Sequence, residues 1–408
     1  MFNSASEAIS YIENIKRKDK RKDLSRINYL MKEIEFDESD FKIIHIAGTN
    51  GKGSTALFLK EILMNFNYKV GFFISPYITC FNERIEINDY YISDDDLVRL
   101  SNKLIKITNK YEKEYNDIVP FFEFVLLLGF LYFKENNIDY LILECGLGGL
   151  LDSTNFCKPV CSIITSIGYD HQNSLGTTIE EIAKHKVGIA KENVPLFTYS
   201  NDLVNDVLVK YSNNIGAKLF LLDKNDVKYK LVDKYLLLDF KSYIYKTSLC
   251  ASYQAYNLYL VLNVIEYLFP NYNQKLIDKA ISNLIWPGRF EQIENYLLDG
   301  AHNISAIEVL ISSLKERNIT NITVIFTSLK DKDYPKMLTK LDEIASDYRF
   351  FDLDDFRKEN PIEFTKHITK KYKIYKKIDE LLDINNELVL VTGSLHFVSL
   401  IRKYLLEK

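Results

Sequence analysis

Cysteine is scarce in this chain: Cys80, Cys145, Cys157, Cys161 and Cys250 are an odd, scattered five in 408 residues, with no C-x-x-C pair. That excludes a disulfide framework and a zinc ribbon, and it points to a reducing compartment. Long apolar runs are missing as well. The longest, residues 124–133, falls far short of the ~20 residues that span a bilayer. Residues 1–10 lack the apolar core of a signal peptide, so a soluble cytoplasmic protein with no membrane association is expected. A basic excess is also absent, since 52 Lys and Arg face 56 Asp and Glu for a formal net charge of −4. No global positive field advertises a nucleic-acid partner. The one local exception, residues 16–22, holds six basic residues in seven. With acids nearby and no interleaved aromatics it reads as a solvated face; attraction of an acidic substrate is the alternative.

What is present is an ordinary globular composition, 47% apolar and 26% charged, at a length that suits two to three domains. Short apolar runs of buried-strand type recur at 43–47, 70–74, 140–143 and 160–165, separated mostly by helical patterns. The pattern predicts a doubly wound, mostly parallel α/β sheet. Residues 218–245 alternate and predict antiparallel hairpins appended to that sheet, followed by a helix over 253–268. Trp286-Pro287-Gly288 ends this pattern, which sets domain limits at 1–286 and 287–408. The second domain is predicted as a smaller, Rossmann-like α/β unit with strands at 296–299, 322–327, 348–351 and 388–392, and helices at 304–315, 335–345 and 396–407.

The sharpest chemical signal lies between the first buried strand and a helix: Gly48-Thr49-Asn50-Gly51-Lys52-Gly53-Ser54. Such a loop aims backbone N–H groups, a helix N-terminus and one ammonium at phosphate oxygens. Gly53 separates Lys52 from Ser54, so spacing leaves open which hydroxyl meets magnesium. Glu144, His171 and Ser75 each follow a predicted buried strand, where α/β sheets place ligands. They can offer oxygen and nitrogen donors to magnesium beside the loop. On the helix beginning at Ile179, the apolar Ile182 and Ala183 follow at i+3 and i+4, and Lys186 takes i+7 on the same stripe. A desolvated ammonium there would have a lowered pKa. Lys184 and Lys191 read as ordinary surface charges.

With Gly53 in that place, the loop resembles the phosphate loop of the folylpolyglutamate synthase/dihydrofolate synthase family, within the Mur ligase superfamily. Further stretches match in the family's order: Ser75-Pro76 with Phe81-Asn82-Glu83-Arg84-Ile85, Glu144-Cys145-Gly146-Leu147-Gly148-Gly149 with Leu151-Asp152-Ser153-Thr154-Asn155, and Ile164-Thr165-Ser166-Ile167-Gly168-Tyr169-Asp170-His171. Lys186-Val187-Gly188-Ile189, Pro287-Gly288-Arg289-Phe290-Glu291, Leu298-Asp299-Gly300-Ala301-His302-Asn303 and Asp331-Lys332-Asp333 follow.

The resemblance implies an ATP-dependent amide ligase that joins L-glutamate to a folate or to dihydropteroate through an acyl phosphate. It implies two Mg2+ sites held by Ser75, Glu144, His171, Ser54 and a carbamylated Lys186. Thr49, Asn50, Gly51, Lys52, Gly53, Ser54, Asn257, Arg289 and Asp299 go to ATP. Lys52, Lys186 and His302 are the catalytic set, with His302 beside the incoming amino acid. Phe122, Glu123, Asp152 and Ser153 would lie along the pteridine substrate. Gln254 and Asn257 match a position near the nucleotide base, with two surface amides as the plain alternative. Tyr77, Leu150 and Tyr253 stand where relatives usually carry His, Arg and His, so substrate choice is the least determined feature. Folate polyglutamylation is favoured, with dihydrofolate synthesis or both as the alternative. A monomer is expected. A peptidoglycan ligase, a GTPase or kinase, and a non-catalytic nucleotide-binding regulator are the competing readings. No Asn-Lys-x-Asp stretch is present to read guanine.

Overall fold

A computed structural model describes residues 1–16, 23–384 and 387–408; all but the first residue of the basic run 16–22 lies outside them. By internal contacts the chain forms two units, Met1–Asp226 with Leu260–Ala280, and Val227–Tyr259 with Ile281–Lys408.

The first unit is built on eight strands: β1 (Lys42–Ala47), β2 (Val70–Phe73), β3 (Ile85–Ile87), β4 (Tyr90–Tyr91), β5 (Tyr140–Glu144), β6 (Cys161–Ile164), β7 (Pro195–Tyr199) and β8 (Lys218–Leu222). Their order is β4-β3-β2-β5-β1-β6-β7-β8. From β2 across to β8 the strands run parallel, and β3 and β4 form an antiparallel edge. Its helices before residue 227 are α1 (Ala5–Asn14), α2 (Ser25–Glu33), α3 (Lys52–Asn65), α4 (Asp94–Tyr115), α5 (Phe121–Glu135), α6 (Gln172–Leu175), α7 (Ile179–Val187) and α8 (Asn205–Ile215). The central strands read as continuous apolar runs because helices cover both faces. Helix α5 is apolar all round for the same reason: Phe124 to Phe133 are buried without interruption, each large side chain removed from water contributing about 1.5–3 kcal/mol.

This order places the chain reversal at β1. The chain leaves β1 toward β2 on one side, returns to β5 and crosses to β6 on the other side. Ligands of open α/β sheets collect outside the carboxyl ends of strands at such a reversal. Gly48, Glu144 and Thr165 all sit there.

The second unit holds a three-stranded antiparallel meander, β9 (Lys228–Val232), β10 (Tyr235–Phe240) and β11 (Tyr243–Thr247). Its larger sheet has the order β12-β13-β17-β14-β15-β16, from β12 (Glu291–Ile293), β13 (Tyr296–Leu298), β14 (Ile322–Phe326), β15 (Ala345–Phe351), β16 (Lys371–Tyr375) and β17 (Val389–Thr392). The helix expected over 253–268 is found at Tyr253–Leu268.

Two features differ from the sequence reading. The hairpins are not appended to the main sheet: β8 joins that sheet in parallel after α8, whereas β9–β11 pair only with one another. Alternation reveals a half-buried strand but not its partner. Strands β3, β4 and β7 of the first sheet were not expected, nor were β12 and β16 of the second. The latter two are sheet edges, and β16 reads Lys-Tyr-Lys-Ile-Tyr, with edge lysines that discourage pairing by another chain and mask the apolar signal.

A buried ion cluster ties α3, the helix that follows the phosphate loop, to the sheet edge. The Lys60 ammonium, 5% exposed, lies 2.5 Å from Glu86, 3.2 Å from Glu61 and 3.5 Å from Asp89. Lys60→Ala should leave the Glu86 carboxylate buried without its cation and cost about 3–5 kcal/mol, read as a lower urea midpoint at unchanged slope. An unchanged midpoint would show that this cluster holds nothing together.

Candidate active site

The phosphate loop is shaped by contacts with the segment after β6. Backbone N–H of Thr49 donates to Ser166 O at 2.9 Å. The Asn50 carbonyl accepts from the Thr165 and Ser166 hydroxyls at 2.6 and 2.9 Å. Gly48 lies so close to this segment that a Cβ there would fall 1.9 Å from Thr165 Oγ1. Gly51 starts α3 from the left-handed region at φ 86°, which glycine enters without steric cost. Lys52 curls back over the loop, donating to Gly48 O at 3.1 Å and Thr49 O at 3.4 Å. Its ammonium is 3.9 Å from Glu144 Oε1. Ser54 is buried on α3; next to it Thr55 has a buried Oγ1 with no partner among the described residues. The sequence reading did not identify Thr165 and Ser166 as the clamps of this loop.

Glu144 is the last residue of β5 rather than the residue after it. Its Oε2 accepts the Ser75 backbone N–H at 3.2 Å, so Ser75 and Glu144 meet across the ends of neighbouring strands. Lys186 lies where the stripe put it, 3% exposed among Ile182, Ala183 and Val187. Its ammonium makes no hydrogen bond or ion pair among the described residues. Burial lowers its pKa to about 7, and the nearby positive charge of Lys52 adds to the effect. Lys191 is not the ordinary surface charge expected. It is half-buried and donates to Asn155 O at 2.8 Å, because α7 ends at Val187 and helical spacing no longer describes it. His171 is 45% exposed and precedes α6, with Nε2 3.9 Å from Asp170 Oδ2. Among the described residues no three His, Cys, Asp or Glu side chains group to hold a metal. The expected set therefore depends on hydroxyls and on Lys186. Carboxylate and hydroxyl oxygens are the hard donors that magnesium takes, so the residues fit that ion.

The loop 146–154 leaves β5 and folds onto α7, with Leu150 N–H donating to His185 O at 2.6 Å. Asp152 is buried, and its carboxylate accepts from Leu147 N at 2.6 Å, Thr154 N at 3.0 Å and Thr154 Oγ1 at 2.6 Å. Burial raises its pKa and these donors oppose the rise. The Ser153 hydroxyl donates to Glu123 Oε1 at 3.0 Å. Glu123 also takes a two-pronged pair from Arg26, Nε at 2.7 Å and Nη2 at 2.9 Å. Arg26 is 2% exposed and had not been singled out from the sequence. Phe122 faces the same loop, since a Cβ on Gly146 would fall 2.7 Å from its ring. Three of the four expected substrate residues, Glu123, Asp152 and Ser153, are thus bonded within the protein, and Phe122 presents its ring to the loop.

In the second unit Asp299 follows β13 and is 4% exposed. Its carboxylate accepts from Tyr253 Oη at 2.7 Å, Phe290 N at 3.0 Å and Ala301 N at 2.9 Å. Burial raises its pKa, and the Arg289 guanidinium pulls the other way. Arg289 passes over Gly300, where a Cβ would fall 2.9 Å from its Nη1. His302 Nδ1 is 2.9 Å from Gly300 O; a carbonyl only accepts, so Nδ1 carries the proton and Nε2 is the acceptor of the neutral ring. Gln254 and Asn257 are buried, not surface amides, and Asn257 Nδ2 donates to Gln254 Oε1 at 2.8 Å.

Comparison with known proteins identifies what the chain is similar to. Residues 46–265 match the Mur ligase middle domain and residues 288–395 the Mur ligase glutamate ligase domain. The chain is 35% identical to a dihydrofolate synthase/folylpolyglutamate synthase of Bacillus subtilis, over 99% of this chain and 100% of that protein. It is 31% identical to a folylpolyglutamate synthase of Lacticaseibacillus casei, over 98% of each. A solved complex of folylpolyglutamate synthase with AMPPCP and folate superposes with a TM-score of 0.85 at 28% identity, over 98% of this chain and 99% of that one.

Proposed function

The chain belongs to the folylpolyglutamate synthase/dihydrofolate synthase family of Mur ligases, and from that premise we propose that it joins L-glutamate to folates by ATP-dependent amide formation, releasing ADP and phosphate. The observation that carries the reading is Lys52 facing Glu144 at 3.9 Å across the ends of paired strands. The γ-phosphoryl group of ATP passes to the folate carboxylate, and Lys52 stabilises the charge that spreads over its oxygens. The amine of glutamate then displaces phosphate, with His302 Nε2 the acceptor for its proton. We assign Ser54, Ser75, Glu144, His171 and Lys186 to holding magnesium at two sites, where it would supply positive charge to the phosphoryl oxygens. Thr49, Asn50, Gly51 and Gly53 complete the phosphate contacts; Asn257, Arg289 and Asp299 are assigned to ATP in the second unit. Phe122 offers an aromatic surface to a pteridine. We place the domain limits at 1–286 and 287–408 and read the protein as a cytoplasmic monomer. No helix among the described residues is long and apolar enough to cross a membrane.

Dihydrofolate synthesis is the second reading, favoured by the 35% identity to a relative that carries both names. Steady-state assays with tetrahydrofolate and with dihydropteroate, each with glutamate and ATP, separate the two.

Three outcomes follow from the chemistry. Folate labelled with oxygen-18 in its carboxylate should yield labelled inorganic phosphate; formation of AMP and pyrophosphate instead would overturn the acyl phosphate. Lys52→Ala should lose more than about 100-fold in kcat while melting like the parent protein, the scale of one lost preorganised donor. Near-normal turnover in that folded variant would remove Lys52 from the reaction.

The third concerns Lys186, which we propose is carbamylated: the amine and CO2 give the N-carboxylate and one proton. Because only the uncharged amine reacts, and its pKa is lowered to about 7, the modified fraction should rise as pH increases through that value. A carbamate signal in 13C NMR under labelled bicarbonate reads it directly. Lys186→Ala should lose both the signal and activity, and acetate should restore part of the activity. A fully active Lys186→Ala variant refutes the proposal.

A further inference from the structure

His45 stands on β1 three residues before Gly48 and is fully buried. Its Nε2 is 2.8 Å from Thr154 Oγ1 and 3.0 Å from Cys145 Sγ. Thr154 Oγ1 is in turn 2.6 Å from Asp152 Oδ1, and Asp152 Oδ2 receives the Leu147 N–H. Thr154 Oγ1 also lies 3.4 Å from Cys145 Sγ, a longer and weaker contact, and with Asp152 ionised the shorter contacts set the order of the Thr154 and His45 protons. A carboxylate only accepts and a hydroxyl carries a single proton, so Thr154 donates to Asp152. Thr154 Oγ1 must then accept from His45, and Nε2 is the protonated nitrogen.

The other end of the ring gives the same answer. Nδ1 is buried and has no partner among the described residues. A bare buried acceptor is tolerated more readily than a bare buried N–H. Burial also keeps the ring uncharged, pushing its pKa down to about 3.

We infer that His45 is a positioning residue for the acceptor-side loop: the relay from Nε2–H through the Thr154 hydroxyl to Asp152 pins residues 147–154 to the strand that begins the phosphate loop. The inference rests on the reading above that Asp152 and Ser153 border the folate site. His45 itself is buried behind the loop it holds, and its effect on substrate passes through Thr154 and Asp152. Its role is therefore distinct from that of Lys52, which acts on the phosphates directly.

Two measurements test it. In 15N NMR of the histidine-labelled parent protein, His45 should be neutral, with Nε2 protonated and Nδ1 bare. The opposite tautomer overturns the relay whether or not the protein ligates glutamate, which separates this inference from the functional one. The second measurement compares His45→Gln, whose amide N–H can stand in for Nε2–H, with His45→Asn, whose shorter amide cannot reach Thr154. His45→Asn should raise KM for the folate acceptor by about tenfold, roughly one net hydrogen bond, and speed hydrogen exchange at the Leu147 amide. KM for ATP should stay within about twofold, a shift too small to represent a lost hydrogen bond, and His45→Gln should behave like the parent. Equal losses in both variants, or an ATP effect as large as the acceptor effect, would refute the inference. If His45→Asn does not fold, the tautomer alone decides.

Discussion

The parallel ladder joining β5, β1 and β6 is the constraint on which the site depends. It continues beyond the strands themselves: Cys145 N–H donates to Ile46 O at 2.9 Å and Thr165 N–H to Ala47 O at 3.0 Å. These two bonds fix where three loops leave the sheet. One leads to Lys52 at the start of α3, one begins directly after Glu144 at the end of β5, and the third clamps the phosphate loop from behind. Because strand spacing is close to 4.8 Å in any sheet, neighbouring strand ends deliver side chains within interaction distance without further design. Lys52 and Glu144 face each other for that reason. The glycines at 48 and 51 then let the backbone approach Thr165 and turn into α3.

Among the described residues the first unit buries Arg26, Lys60, Arg84 and Lys186, and they show what the protein does with desolvated charge; Arg84 lies over the rings of Tyr77, Phe81 and Phe121. Arg26 is answered by Glu123 in a two-pronged pair and by Asp117 at 3.0 Å. Lys60 is answered by three carboxylates. Lys186 is equally buried and has no anion bonded to it among the described residues, and Lys52 adds like-charge repulsion. An unanswered buried ammonium releases its proton. Against cations answered by carboxylates or set over aromatic faces Lys186 stands apart, and an amine that gives up its proton near pH 7 is the physical consequence. Carbamylation would turn the exception into an anion that suits the Lys52 charge beside it.

Much of this was legible in the residues because it is local. Periodicity located the central strands, the all-apolar helix and the Lys186 stripe, and the glycine-lysine loop announced the phosphates. What escaped was long-range in sequence. Arg26 meets Glu123 across 97 positions and His45 meets Thr154 across 109, and no spacing rule connects residues that only the folded sheet brings together. Lys191 was misread because helical geometry was carried past the end of a helix. Strand β16 was missed because its lysines protect an edge, and the same lysines hide the pattern by which strands are found.

The acids named as ligand contacts share a further property. Glu123 accepts from Arg26 twice and from Ser153; Asp152 accepts from Leu147 and twice from Thr154; Asp299 accepts from Tyr253, Phe290 and Ala301. A carboxylate offers about four lone-pair positions, so each of the three has most of its capacity engaged by its own protein. Their first role is to organise loops, and any ligand contact they make uses what remains. Tyr253 illustrates the point, since it supplies a single hydroxyl that Asp299 accepts at 2.7 Å. Changing that residue alters how the 288–303 segment is held before it alters what the segment touches. Substitution at such positions therefore acts first on loop geometry, whereas Lys52 and Glu144 are placed by the ladder itself.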